Sequence, residues 1–126
     1  MLQAAIMLVI KDGLILGVSR RNDPTKFGLP GGKCNPLEAP FDAAIRECLE
    51  ETSITVSHAI FLYERSEEGF HADCFYATKW TGEPVKSEEG EVKWITRKEI
   101  IDGAFGEYNK QMLEAFKKRY PYIWLN

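Results

Sequence analysis

No stretch of the chain is both apolar and long enough to span a bilayer. The longest apolar start, Met1 to Ile10, is about ten residues where a spanning helix needs about 20. It contains Gln3, lacks a basic leader and runs into Lys11-Asp12-Gly13, so it does not read as a secretion signal either. Cysteine is scarce and odd in number: the three (Cys34, Cys48, Cys74) show no C-x-x-C spacing, and only two histidines are present to complete a zinc set. A disulfide framework is therefore not expected, and a reducing, cytoplasmic setting is. Basic residues are also in short supply. Lys and Arg total 16 against 19 for Asp and Glu, a formal charge of −3, which disfavours polymeric nucleic acid as a partner because its backbone is bound through many basic contacts. Neither internal repeats nor low-complexity segments occur.

What is present is the make-up of one compact unit. A chain of 126 residues with 44% hydrophobic and 28% charged residues can bury a core without disulfides or structural metal, and residues 1–126 read as a single domain. An acidic protein of this kind still binds a small phosphate ester where a few local cations or a bound metal reverse the sign of the field.

The apolar runs Leu2 to Ile10 and Leu14 to Val18 flank Asp12-Gly13, a strong hairpin signal. Residues 19–40 carry Pro24, Gly28, Pro30-Gly31-Gly32 and Pro36, and read as a long loop around Phe27-Gly28-Leu29. Pro40 suits the first turn of a helix on which Phe41, Ala44, Ile45, Cys48 and Thr52 recur on one face. Further strands are expected in 54–63, 70–78 and 92–95. Thr96-x-x-Glu99 is a capping-box pattern opening a short helix that Gly103 ends, and a last helix is expected over about 108–118, before Pro121.

The informative stretch is Gly32-Lys33-Cys34-Asn35-Pro36-Leu37-Glu38 followed, seven residues later, by Arg46-Glu47-Cys48-Leu49-Glu50-Glu51-Thr52-Ser53-Ile54. At about 100° per residue, Glu47, Glu50 and Glu51 share one arc of the helix, away from Phe41, Ile45 and Cys48. Like charges at these spacings repel by some tenths of a kcal/mol each. A divalent cation would turn the repulsion into coordination, and hard oxygen donors select Mg²⁺ or Mn²⁺. Taken alone, Glu-x-x-Glu-Glu is commonly a solvated helix face with Arg46 as a surface partner. The full spacing changes the weight of the pattern. Six positions (Gly32, Glu38, Arg46, Glu47, Glu50, Glu51), each at roughly 6% usage, match by accident about 5 × 10⁻⁸ of the time per start.

Those residues resemble the Nudix hydrolase signature, G-x5-E-x7-R-E-U-x-E-E-x-G-U with U bulky and apolar, over residues 32–54. Cys48 stands at an apolar U position, and Ser53 replaces the glycine at the helix end, where a left-handed turn costs a non-glycine residue roughly 1 kcal/mol. Leu29-Pro30-Gly31-Gly32-Lys33 looks like the family's lead-in, and Glu91-Val92-Lys93-Trp94 with the Thr96-capped helix like its later strand and turn. The resemblance implies an α/β (α+β) fold, an α/β/α sandwich around a mixed sheet; periodicity alone says only α/β or α+β.

The resemblance further implies Mg²⁺-dependent (or Mn²⁺-dependent) hydrolysis of a nucleoside diphosphate linked to another moiety. By position, Glu47, Glu50, Glu51 and the Gly31 carbonyl would be metal ligands and Glu47 the general base. Arg46 would orient that base, and Glu38 would tie the loop to the helix or contact the metal through water. Lys33, Arg20 and Arg21 are candidate phosphate contacts, with plain surface charge as the alternative. One of Glu88, Glu89 and Glu91 would complete the metal site. Phe27, Phe70, Phe75 and Trp80 are candidates to stack on a base, although aromatics near strands are more often core. Asn109, expected just before the last helix, would read a purine edge or cap the helix. His58 and His71 show no third partner and Cys34 no need to be a nucleophile. Markers of the NADH, ADP-ribose and dinucleoside-polyphosphate subgroups are missing, which leaves a small MutT-like nucleoside triphosphate pyrophosphohydrolase. Its partner is a small nucleotide, with neither nucleic acid polymer nor membrane, and the protein is expected as a monomer or homodimer. The alternatives are hydrolysis of ADP-ribose or another nucleotide diphosphate, and a silent nucleotide-sensing module.

Overall fold

The computed structural model describes residues 1–86 and 90–126. Its elements, in chain order, are β1 (Leu2–Leu8), β2 (Ile10–Lys11), β3 (Leu14–Arg20), β4 (Asp23–Gly28), β5 (Gly31–Lys33), α1 (Pro40–Thr52), β6 (Thr55–Glu67), β7 (Phe70–Thr81), β8 (Val92–Ile95), α2 (Arg97–Ile101) and α3 (Gly106–Arg119).

The Asp12-Gly13 turn forms as expected, with both residues at positive φ (51° and 78°), which suits the right-handed twist of a tight hairpin. It joins β3 to β2, however, and not to the whole of the preceding apolar run. That run divides at Val9: β2 pairs antiparallel with β3 through Ile10↔Ile15, while β1 joins another sheet, parallel to β7 and antiparallel to β5. The larger sheet has the order β5-β1-β7-β6 and is mixed. In the smaller one β3 is central, with β2 and β4 along one edge and β8 along the other.

The stretch 19–40 departs from its reading as one long loop, because β4 and β5 lie inside it. Neither has an apolar alternation to announce it. β4 (Asp-Pro-Thr-Lys-Phe-Gly) is half exposed and is held by pairing to β3, and Gly31 of β5 pairs where only glycine fits. A Cβ on Gly31 would lie 2.4 Å from the Ala5 carbonyl oxygen. Close backbone approach, not side-chain pattern, makes this strand.

Two apolar clusters cover the two faces of the larger sheet. Ala5, Met7, Phe75 and Ala77 pack under Ala43, Ala44 and Cys48 of α1, and Ala72 and Cys74 pack under Tyr108, Met112, Leu113 and Phe116 of α3. This is the expected layered α+β arrangement. α2 opens on the expected capping box, the Thr96 side chain accepting from the Glu99 N–H at 3.2 Å and Glu99 Oε1 accepting from the Thr96 N–H at 3.1 Å. α3 begins two residues earlier than its apolar pattern suggests, at Gly106. Among the described residues no helix is long and apolar enough to cross a membrane.

Candidate active site

α1 starts on Pro40 at its first turn and ends at Ser53, which takes the left-handed conformation (φ 68°, ψ 10°) and donates its N–H to the Leu49 carbonyl. The position where the signature has glycine is thus the one that needs positive φ. Thr52, fully buried, donates its hydroxyl to the Cys48 carbonyl at 2.7 Å and accepts from the Ile54 N–H at 3.1 Å, so the helix end is satisfied inside the core. Cys48 is buried as an apolar position requires, and burial pushes its thiol up to about 11.

With that face buried, the acids lie along the opposite flank beside β5. Arg46 is the hub. Its Nε and Nη2 donate to the two Glu38 oxygens at 2.8 and 2.9 Å, a bidentate pair. Nη1 donates to Glu47 Oε1 at 3.0 Å and to Glu50 Oε2 at 3.2 Å, and Nη2 also reaches the Lys33 carbonyl at 3.2 Å. Glu38 Oε1 accepts in addition from the Asn35 N–H at 2.9 Å. The Arg46 guanidinium, with the Asn35 N–H second, holds the Glu38 carboxyl down at about 2, and the same contacts raise Arg46 further above its ordinary value. Glu51 points elsewhere and accepts from the Gly31 N–H at 2.7 Å.

The glycine pair makes this possible. A Cβ on Gly32 would lie 2.8 Å from the Glu47 carboxylate, so Glu47 rests directly on a backbone that only glycine leaves open.

The three helix acids share one flank, as their spacing requires, but their carboxylates do not meet. Among the described residues the set of His, Cys, Asp or Glu donors lying within 4.8 Å of one another is Glu64, His71 and Asp73, not Glu47, Glu50 and Glu51. Like charges separate, and each acid has its own donor, Gly31 for Glu51 and Arg46 for the other two. The donor chemistry still fits a hard cation: carboxylates and the Gly31 carbonyl are all oxygen.

Two cavities flank Gly31. One, about 450 Å³, is lined by Arg20, Arg21, Ser19, Gly31, Glu51 and Phe105. The other, about 390 Å³ and largely apolar, has Gly31 and Gly32 at one end and Ile6, Phe70, Tyr108 and Asn109 along its wall. Arg20 and Arg21 thus line the same cavity as Glu51 and Gly31. Lys33 lies outside both cavities: its side chain is exposed and its contribution is the carbonyl that Arg46 binds. Glu91 shares two hydrogen bonds with Ser19 beside the first cavity, but its carboxylate pairs with Lys86 at 2.9 Å. Glu88 and Glu89 lie outside the described residues.

Of the four aromatic candidates only Phe70 lines a cavity. Phe27 and Phe75 are core, and Trp80 packs on Trp94. Phe105 and Tyr108, which sequence reading did not single out, line it in their place. Their signal was faint, an aromatic pair beside Gly103 and Gly106 where a glycine-broken turn opens α3. Asn109 is not ahead of the helix but within its first turns, 2% exposed, and it lines the apolar cavity. Cys34 is half-buried, and burial followed by the Glu38 and Asp73 charges pushes its thiol up, the opposite of an activated nucleophile.

The sequence pattern of the NUDIX domain runs through residues 1–116. The chain belongs to the Nudix family. It is a Nudix hydrolase, acting on a nucleotide pyrophosphate bond. The 8-oxo-dGTP diphosphatase of Escherichia coli (strain K12) is 27% identical over 126 residues, covering 93% of this chain and 97% of the relative. A Bacillus subtilis (strain 168) protein, named provisionally for the same activity, is 29% identical over 98 residues; the match spans 75% of this chain and 66% of that protein. The MutT NUDIX hydrolase of Burkholderia pseudomallei superposes with a TM-score of 0.72 at 24% identity over 90% of this chain and 95% of its own, which is a likeness of fold. Nudix enzymes generally use divalent metals.

Proposed function

We propose that this Nudix hydrolase cleaves a purine (deoxy)nucleoside triphosphate, with 8-oxo-dGTP the first candidate, to the monophosphate and pyrophosphate. The carrying observation is that two cavities share Leu29, Gly31 and Phe105: an apolar slot with Asn109 at its wall lies beside a groove lined by Arg20, Arg21 and Glu51. A base needs the first and a polyphosphate the second. The Asn109 amide, a donor and an acceptor side by side, matches a purine edge, and Phe70 and Tyr108 supply apolar contact to its ring. The activity of the Escherichia coli relative agrees with this choice of base.

Glu47, Glu50, Glu51 and the Gly31 carbonyl would hold Mg²⁺ or Mn²⁺, which when bound neutralises the polyphosphate and polarises its P–O bonds. Arg20 and Arg21 bind the phosphate oxygens and fix the chain of phosphorus atoms along the groove. Glu47 takes the proton from the attacking water as the P–O bond to pyrophosphate breaks. Arg46 holds the Glu47 carboxylate by its Oε1, leaving the other oxygen for that proton, and is itself aimed by the bidentate Glu38. Lys33 acts through its backbone in this arrangement and not as a phosphate contact.

The test is a Mg²⁺-dependent hydrolysis screen over canonical and oxidised nucleoside triphosphates, ADP-ribose, NADH and dinucleoside polyphosphates, with products read by chromatography. Monophosphate and pyrophosphate from a purine triphosphate, with Asn109→Ala raising KM more than it lowers kcat, is the expected result. Preferred release of ribose phosphate from ADP-ribose would replace the reading.

A further inference from the structure

The larger sheet carries a second constellation on the face opposite the apolar cavity. Glu64 pairs in register with Asp73, and Ser66 with His71, across the β6–β7 hairpin, while Gln3 of β1 lies beside His71. His71 and Asp73 alternate with Phe75 on the face under α1, whereas Phe70 and Ala72, which line the cavity, face the other way. His71, for which the sequence offered no third partner, has two. Its Nε2 lies 3.1 Å from Asp73 Oδ1 and 3.4 Å from Glu64 Oε1. We infer that Glu64, His71 and Asp73 form a second divalent-cation site, of zinc-class preference and separate from the glutamates of α1.

Bonds of about 2.0–2.1 Å from a tetrahedral cation put its ligands about 3.3 Å apart, and both edges that meet at Nε2 already have nearly that length. The outer atoms are engaged as a metal site requires: His71 Nδ1 shares a 2.6 Å hydrogen bond with the Ser66 hydroxyl, and Asp73 Oδ2 accepts from Gln3 Nε2 at 2.9 Å. Those partners fix the ring and the carboxylate from behind and leave Nε2 and Oδ1 turned toward one point. One imidazole with two carboxylates suits Zn²⁺, Co²⁺ or Ni²⁺ better than Mg²⁺, which seeks oxygen alone. Glu64 is largely exposed, so the fourth position is open to water. Bound there, the cation staples β6 to β7 near their connecting turn.

Isothermal titration of Co²⁺ and Zn²⁺ into the full chain at saturating Mg²⁺, with the visible spectrum of Co²⁺ recorded, tests the site apart from the α1 acids. The expected result is one equivalent with an intense tetrahedral spectrum, binding at least about 10-fold weaker in Ser66→Ala and in the exposed variant Glu64→Gln, and absent in His71→Ala. Zn²⁺ should raise the melting temperature of the parent chain but not of Glu64→Gln, whose fold the change leaves intact and whose Mg²⁺-dependent hydrolysis stays at parent level. An equivalent that survives in both Glu64→Gln and His71→Ala, or no Co²⁺ uptake at saturating Mg²⁺, overturns the inference whatever the hydrolysis screen yields.

Discussion

At the scale of single residues, the division of labour between Glu47 and Arg46 is the point most open to measurement. An amide at position 47 still coordinates through oxygen but accepts no proton. Glu47→Gln should therefore lower kcat by about 10²–10⁴-fold with little change in Mn²⁺ affinity, and Arg46→Gln should show a smaller defect of the same kind because it frees the base without removing it. Side-by-side kcat and Mn²⁺ titrations of the two variants check this; a Glu47→Gln loss fully recovered by more metal would make Glu47 a ligand only. Glu38 makes a different prediction. Its carboxyl is held at about 2 against an ordinary 4.5, first by Arg46 and then by the Asn35 N–H. Because the folded value is the depressed one, the stabilisation is complete above the ordinary carboxylate range and is lost as pH falls from about 4.5 through about 2. Melting temperatures followed down that range should fall more steeply for the parent than for Glu38→Gln.

At the scale of elements, the strand β5 and the end of α1 are where backbone conformation and site meet. The two adjacent glycines of β5 face different obstacles: a Cβ at Gly32 meets the tip of the Glu47 side chain, and one at Gly31 meets the backbone of β1 at Ala5 and Ile6. A side-chain tip moves and a strand does not. Gly32→Ala should thus keep its melting temperature and lose kcat by displacing the base, whereas Gly31→Ala should unfold at lower temperature; thermal melts beside steady-state kinetics separate the two. Ser53 holds the left-handed turn that the signature gives to glycine. Ser53→Gly removes a steric cost of roughly 1 kcal/mol and adds some unfolded-state freedom, so a net gain of about 0.5 kcal/mol, a few degrees in Tm, should appear in a melt monitored by circular dichroism.

At the scale of the whole molecule, the helix acids couple cation binding to stability. Glu47, Glu50 and Glu51 lie on one flank of α1 beside β5 and the β1 edge, so a cation drawn between them cross-links helix and sheet. Mg²⁺ or Mn²⁺ at a hundred times its Kd should stabilise the fold by about 2.7 kcal/mol, read as a rise in melting temperature. Sodium at equal ionic strength should do much less, and equal shifts would reduce the effect to screening.

The signature stretch was legible in the sequence because it is local. Helical periodicity alone places Glu47, Glu50 and Glu51 on one flank, and the signature spacing to Gly32, Glu38 and Arg46 names the family. The Asp12-Gly13 turn, the Thr96 capping box and the breaks before and after α1 are local as well, each set by a few adjacent residues. Three things depended on chain segments far apart. The apolar run before Asp12 divides between two sheets because β7, some seventy residues on, takes β1 as a parallel neighbour. β4 and β5 exist through pairing with β3 and β1 and not through any pattern of their own. The cavity that separates Asn109, Phe70 and Tyr108 from aromatics that are merely core arises where α3 crosses the sheet. Propensity and periodicity act over a few residues; which face of which strand a side chain meets is decided by packing between segments far apart in the chain.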